Sequence, residues 1–136
     1  MKQVPILGVL QVETFDIALA AGQIDTGCYF RLLDQAGTQR AELVARLIAD
    51  LEKVDCGLRQ ALANFDRAAL RLHSHVLISL AGTFGAIALH RTAQTLNQSA
   101  HHIDTATNGN LGTIGHMALA QLGNLIDFVA QTIDAP

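Results

Sequence analysis

Between Pro5 and Pro136 the sequence contains no proline, and within that stretch apolar residues recur at steps of three and four. Proline removes a backbone donor and collides with the preceding helical turn, so its absence leaves long helices open to the chain. The apolar spacing fits that freedom, because it lays one hydrophobic stripe along each helical segment. Composition agrees. Half of the residues are hydrophobic, mostly Leu, Ala, Ile and Val, and only 4% are aromatic, which favours helices over sheets. At 136 residues the chain fits one domain with a sizeable core.

The breaks between periodic segments are legible. Residues 11–21 read as a short helix ending at Gly22. Residues 25–35 read as another, with Asp25 or Thr26 as N-cap and Gly37 as its stop. A first long helix is expected over about 38–63, with Val44, Leu47, Ile48, Leu51, Val54, Leu58, Ala61 and Leu62 inward. Arg40, Glu42, Arg46, Asp50, Lys53 and Arg59 occupy its other sides. Asp66 is placed to cap a second helix over about 67–82, and Gly82 and Gly85 bracket a turn or helix join. A third is expected over about 86–102, with Leu89, Ala93, Leu96, Ala100 and Ile103 on one stripe. The run from Asp104 to Asn110 reads as a loop. A last helix over about 111–133 carries Leu111, Ile114, Ala118, Leu122, Leu125, Ile126, Val129 and Ile133. The expected architecture is all-α: an antiparallel, up-and-down four-helix bundle over 25–133, with short N-terminal helices covering one end. Residues 1–24 form an N-terminal extension with its own short helix.

Several function classes are disfavoured. A net charge of −3 with only two lysines, Lys2 and Lys53, lacks the cationic surplus that phosphate backbones require, so nucleic acid is not an expected partner. No run approaches the roughly 20 apolar residues needed to span a bilayer. Met1–Leu10 has one lysine and a short apolar run, but Glu13 and Asp16 follow at once, so a cytoplasmic location is expected rather than secretion. Cys28 and Cys56 lack any metal-ligand spacing and read as core thiols. The histidines (His73, His75, His90, His101, His102 and His116) invite a metal hypothesis. Neither His73 with His75 nor His101 with His102 shares a helical face, so no metal site and no cofactor are expected. No paired carboxylates, nucleophile–base pair or phosphate loop suggests an enzyme.

The informative stretch is Leu70-Arg-Leu-His-Ser-His75-Val-Leu-Ile-Ser79-Leu-Ala-Gly82-Thr-Phe-Gly85-Ala86. On a helix, His75, Ser79 and Gly82 stand at i, i+4 and i+7 and share one face, with Arg71 one turn before and Ile78 beside them. Leu77, Leu80, Ala81 and Phe84 turn toward the bundle. His73 lies about 200° round from His75 and reads as a packed or boundary residue. The result is an imidazole on a face of small side chains, open to another protein's active site. An exposed imidazole is largely neutral near neutral pH, and its free nitrogen is a good phosphoryl acceptor.

These residues resemble the histidine-containing phosphotransfer domains of phosphorelays, whose motif is typically A-H-x-L-K-G-S-x-x-x-x-G-A. Here the motif reads Ser74-His75-Val76-Leu77-Ile78-Ser79-Leu80, with Gly85-Ala86 at the family spacing. The resemblance spans about residues 25–130. It implies a non-enzymatic phosphocarrier. His75 would take a phosphoryl group from the aspartyl phosphate of a receiver domain, in a hybrid sensor kinase or a response regulator, and pass it to another receiver. The receiver would supply the Mg²⁺ and the electrostatic stabilisation. Two departures from the pattern stand out: the family lysine is Ile78, and the following glycine is Ser79. Serine keeps the face small, whereas isoleucine cannot offset phosphoryl charge, which leaves Arg71 as the nearest substitute cation. In this family a polar side chain on the next helix often orients the histidine, and Asn97 falls at the matching place. The alternative is a bundle of the same fold that carries no phosphate and binds a receiver or a histidine kinase to regulate it.

Overall fold

Asp25 and Asp66 each stand just ahead of a periodic segment, and each caps the helix that follows. In a computed structural model, which describes residues 24–101 and 107–132, the Asp25 carboxylate accepts from the Cys28 amide at 3.1 Å and opens α1, Thr26–Ala36. Gly37, at φ 57°, ends it. A single 3₁₀ turn, Gly37–Gln39, leads into α2, Arg40–Ala63. The Asp66 carboxylate accepts from the Ala69 amide at 3.1 Å and opens α3, Arg67–Phe84. Helix α4 spans Ile87–His101 and α5 spans Thr107–Gln131.

The four long helices form the expected all-α bundle, in a ring where α2 packs on α3 and α5, and α4 packs on α3 and α5. Antiparallel pairing shows in individual contacts. Arg71, early in α3, reaches Ala100, late in α4, while Gly82 lies beside His90 at the other end of the pair. Each stripe delivers its residues inward: Val44, Leu47, Leu51, Val54 and Leu58 from α2, Leu70, Leu77, Ala81 and Phe84 from α3, and Leu89, Ala93 and Leu96 from α4. Ile48, Leu62, Ile78 and Leu80 are half-buried at its margin. Helix α1 covers one end of the bundle through Tyr29 and Leu33. Tyr29 packs against Phe84 and Phe128 at centroid distances of 5.8 and 5.4 Å, and its hydroxyl is hydrogen-bonded to Thr132 Oγ1 at 2.6 Å.

Several boundaries differ from the sequence expectation. Helix α3 runs straight through Gly82 to Phe84, and the turn is confined to Gly85 and Ala86. Gly85 has φ 71°, and a Cβ there would sit 3.0 Å from Asp25 Cβ, because the chain entering α1 lies against the turn. Asp25 donates its amide to the Gly85 carbonyl at 2.7 Å. The last helix begins at Thr107 rather than near 111, so the turn-forming run Thr107–Asn110 is helical. Cys56 is exposed and Cys28 half-buried, so neither is a core thiol. Gly57 has a role the periodicity does not reveal: a Cβ there would run into the His73 ring, which is half-buried against α2. The helix over 11–21, Ile103, residues 104–106 of the loop and Ile133 lie outside the described residues.

Two outcomes test this packing. Gly85→Ala should lower the unfolding free energy by about 1–2 kcal/mol, since alanine must hold a left-handed conformation in a space already filled; urea melts read it. Burial raises the Tyr29 phenol above its ordinary value of 10.0, against smaller lowering effects of the Thr132 hydrogen bond and the Arg40 charge. The neutral phenol is therefore a stabilising form that is fully present below the unfolded-state value and lost as pH climbs through the folded one. As Tyr29 is the sole tyrosine and tryptophan is absent, tyrosinate absorbance reports it directly. Ionisation in the folded chain should lag that of the denatured chain, and Tyr29→Phe should remove this component of alkaline destabilisation.

Candidate functional site

Helix α3 presents two faces of opposite character. Leu70, Ser74, Leu77, Ala81 and Phe84 are fully buried, whereas His75, Ser79 and Gly82 are exposed. His75 stands midway along the helix, with its neighbours on the outward stripe small. Leu72 (60% exposed) and Val76 (38%) add apolar surface on one side of it. On the other side runs the seam with α4, where His90 approaches Gly82: a Cβ on that glycine would lie 3.7 Å from His90 Cδ2. That is ordinary contact distance, so the small side chain leaves the face open without being sterically compelled.

Asn97 and Arg71 are engaged differently from the sequence expectation. The Asn97 side-chain amide, half-buried in the seam, donates to the Arg71 carbonyl at 3.1 Å and to Ser74 Oγ at 3.0 Å. Ser74 Oγ in turn donates to the same Arg71 carbonyl at 3.2 Å. An amide nitrogen has two protons, and both are used, so Asn97 does not donate to the His75 ring. It is instead bonded to the turn from which His75 projects, for the Arg71 carbonyl is also the α-helical acceptor of the His75 amide. The Arg71 guanidinium turns to the far end of the seam, where its Nη1 and that of Arg67 each lie 3.4 Å from the Ala100 carbonyl. It is a partner of the α4 terminus.

Ile78 is half-buried and packs against the core, an apolar contact at its margin. Ser79 is exposed, and its carbonyl accepts from Thr83 Oγ1 at 3.1 Å. The structure thus brings His75, Ser79 and Gly82 onto one accessible face, with Arg71, Ile78 and Asn97 in the seam beside it. Sequence reasoning missed Ser74. The signal was there, because a serine replaces the alanine of the family motif immediately before His75, and that serine is what Asn97 grips.

Among the described residues no group of three or more His, Cys, Asp or Glu side chains is arranged to hold a metal ion, and no helix is long and apolar enough to cross a membrane. No protein-family model matches the chain, and no curated protein or solved structure matches it either.

The seam is testable by a double-mutant cycle. Asn97→Ala should lower the unfolding free energy by about 1–2 kcal/mol, as two part-buried hydrogen bonds are lost. Ser74→Ala should cost less in that background than in the wild type, since each side chain satisfies the other. Equal costs in both backgrounds would show that the two act independently.

Proposed function

We propose that the chain is a phosphorelay carrier in which His75 accepts a phosphoryl group from the aspartyl phosphate of a receiver domain and returns it to another. One observation carries this: an exposed imidazole halfway along a bundle helix, on a stripe shared with Ser79 and Gly82. A receiver's active site is recessed around its aspartate, so an acceptor must enter it, and small neighbours permit that approach. In the transfer, a neutral ring nitrogen forms the new P–N bond as the acyl P–O bond breaks. The aspartate leaves as carboxylate with the electron pair, and the proton on the other ring nitrogen passes to solvent as the phosphoimidazole becomes neutral. Catalysis belongs to the receiver's metal and cation, whereas this chain contributes orientation and proximity. Fixing the turn through Asn97 and Ser74 serves that end, because it holds the Cα of His75 in place while the ring stays accessible.

The half-buried Ile78 favours one competing function, a bundle of this fold that binds a receiver or histidine kinase without being phosphorylated. The discriminating experiment is transfer of labelled phosphate from charged receiver domains. His75→Gln should abolish uptake with a stability change within about ±0.5 kcal/mol, as expected of an exposed position. The wild-type label should be acid-labile and alkali-stable, the signature of phosphohistidine. A folded wild type that takes no label from any receiver leaves the regulatory binder as the better account.

Two substitutions probe the face itself. Gly82→Phe should slow transfer by placing a ring over the stripe, and an unchanged rate would show that small side chains are not needed there. Ile78→Lys should raise the phosphorylated fraction at equilibrium. An ammonium near the phosphoryl oxygens contributes about 1–1.4 kcal/mol when partly desolvated, up to roughly tenfold in the equilibrium constant.

A further inference from the structure

Between Asp66 and Asp104 the sequence holds no acidic residue, although the whole chain has 12 Asp plus Glu against 9 Lys plus Arg. That interval is the α3–α4 pair, the part of the bundle that carries His75. Its cations sit at both ends. At the open end the Arg67 and Arg71 guanidinium groups converge on the Ala100 carbonyl. At the closed end Arg91 is exposed and lines a shallow groove of about 300 Å³ with Gly82, Gly85, Ile87, His90 and Gln94. His75 lies between the two, about 6 Å along the α3 axis from Arg71 and about 10 Å from Gly82 at 1.5 Å per residue. Leu72, Val76 and Ile87 add exposed apolar surface.

We propose that the α3–α4 face docks a receiver domain whose surface around the acceptor aspartate is rich in carboxylates, and that Arg91, beside the groove at Gly82, is a specificity-determining contact for it. The inference rests on the phosphorelay function and names the partner's charge. Charge complementarity carries it. The helix pair carries three arginines and no carboxylate of its own, with the capping Asp66 and Asp25 at its margins, so it attracts an acidic partner more than a basic one, and such pairing governs encounter rate and partner choice more than raw affinity. It also relocates the positive charge absent at Ile78, from beside the imidazole to the rim of the docking surface. A nucleic acid is the poorer fit, because the chain is acidic overall, with 12 Asp plus Glu against 9 Lys plus Arg, and lacks the cationic surplus that phosphate backbones require.

The test is equilibrium binding of the full chain to a panel of purified receiver domains grouped by the charge of the face around the aspartate. A single-stranded oligonucleotide is measured in parallel, all at about 0.05 and 0.5 M salt, between which the screening length shortens severalfold. Binding should be confined to acid-faced receivers and weaken at high salt. Arg91→Glu should weaken it by about tenfold or more at low salt, and Arg91→Lys should largely restore it. Unchanged affinity in Arg91→Glu, a preference for basic-faced receivers, oligonucleotide binding as tight as any receiver's, or no receiver binding at all would overturn the proposal. Phosphoramidate, a small donor that needs no docking surface, separates this failure from failure of the phosphoacceptor reading. If His75 still takes phosphate from it, only the docking assignment falls.

Discussion

The site depends on the seam between α3 and α4, and above all on the hydrogen bonds that Asn97 sends into the turn before His75. A helix exposed along one side has few constraints on rotation about its axis beyond the fit of its buried stripe. Leu70, Leu77, Ala81 and Phe84 set that fit by volume, and volume alone tolerates small rotations. Directional bonds to Ser74 Oγ and the Arg71 carbonyl tolerate much less. Because these bonds are part-buried, with Ser74 fully enclosed, breaking them leaves polar atoms poorly satisfied. The rotational setting that buries Ser74 also turns His75, one residue on and about 100° round, toward solvent. Exposure of the imidazole is thus tied to the satisfaction of a buried network.

Most of the fold was legible because its determinants are local. The periodic stripes in α2, α3 and α4, the capping aspartates Asp25 and Asp66, and the stop at Gly37 each announce themselves within a few residues. The unread parts are those decided by contacts distant in sequence. Nothing near Gly57 says that His73 will occupy the space its side chain would fill. The face of the candidate site was legible for the same reason as the stripes, since His75, Ser79 and Gly82 share a helix. The partners of Arg71 and Asn97 were not, because each lies across the seam and several acceptors are within reach of a long or branched polar side chain.

Ile78 bears on the electrostatics of the candidate site. A lysine there would hold its ammonium at the edge of the imidazole. The isoleucine instead joins the apolar margin of the core, and the positive charge of the α3–α4 pair stands at its ends, at Arg67, Arg71 and Arg91. Charge next to the imidazole acts on the phosphorylated state itself, whereas charge at the rim acts on the encounter with a partner. On the proposed phosphorelay function, the chain would separate two tasks that a single lysine would combine, leaving stabilisation of the transferred group to the receiver.

The central claim is that one imidazole among the chain's histidines is built to accept phosphate. The most direct measurement is nuclear magnetic resonance of the histidine side chains after exposure of the folded protein to phosphoramidate, resolving each ring separately. A phosphorus–nitrogen coupling at His75 alone, with the rings of His73, His90, His101, His102 and His116 unmodified, is the result this account predicts. Preferential modification of any other histidine, or an unmodified His75 in a folded chain, would contradict it.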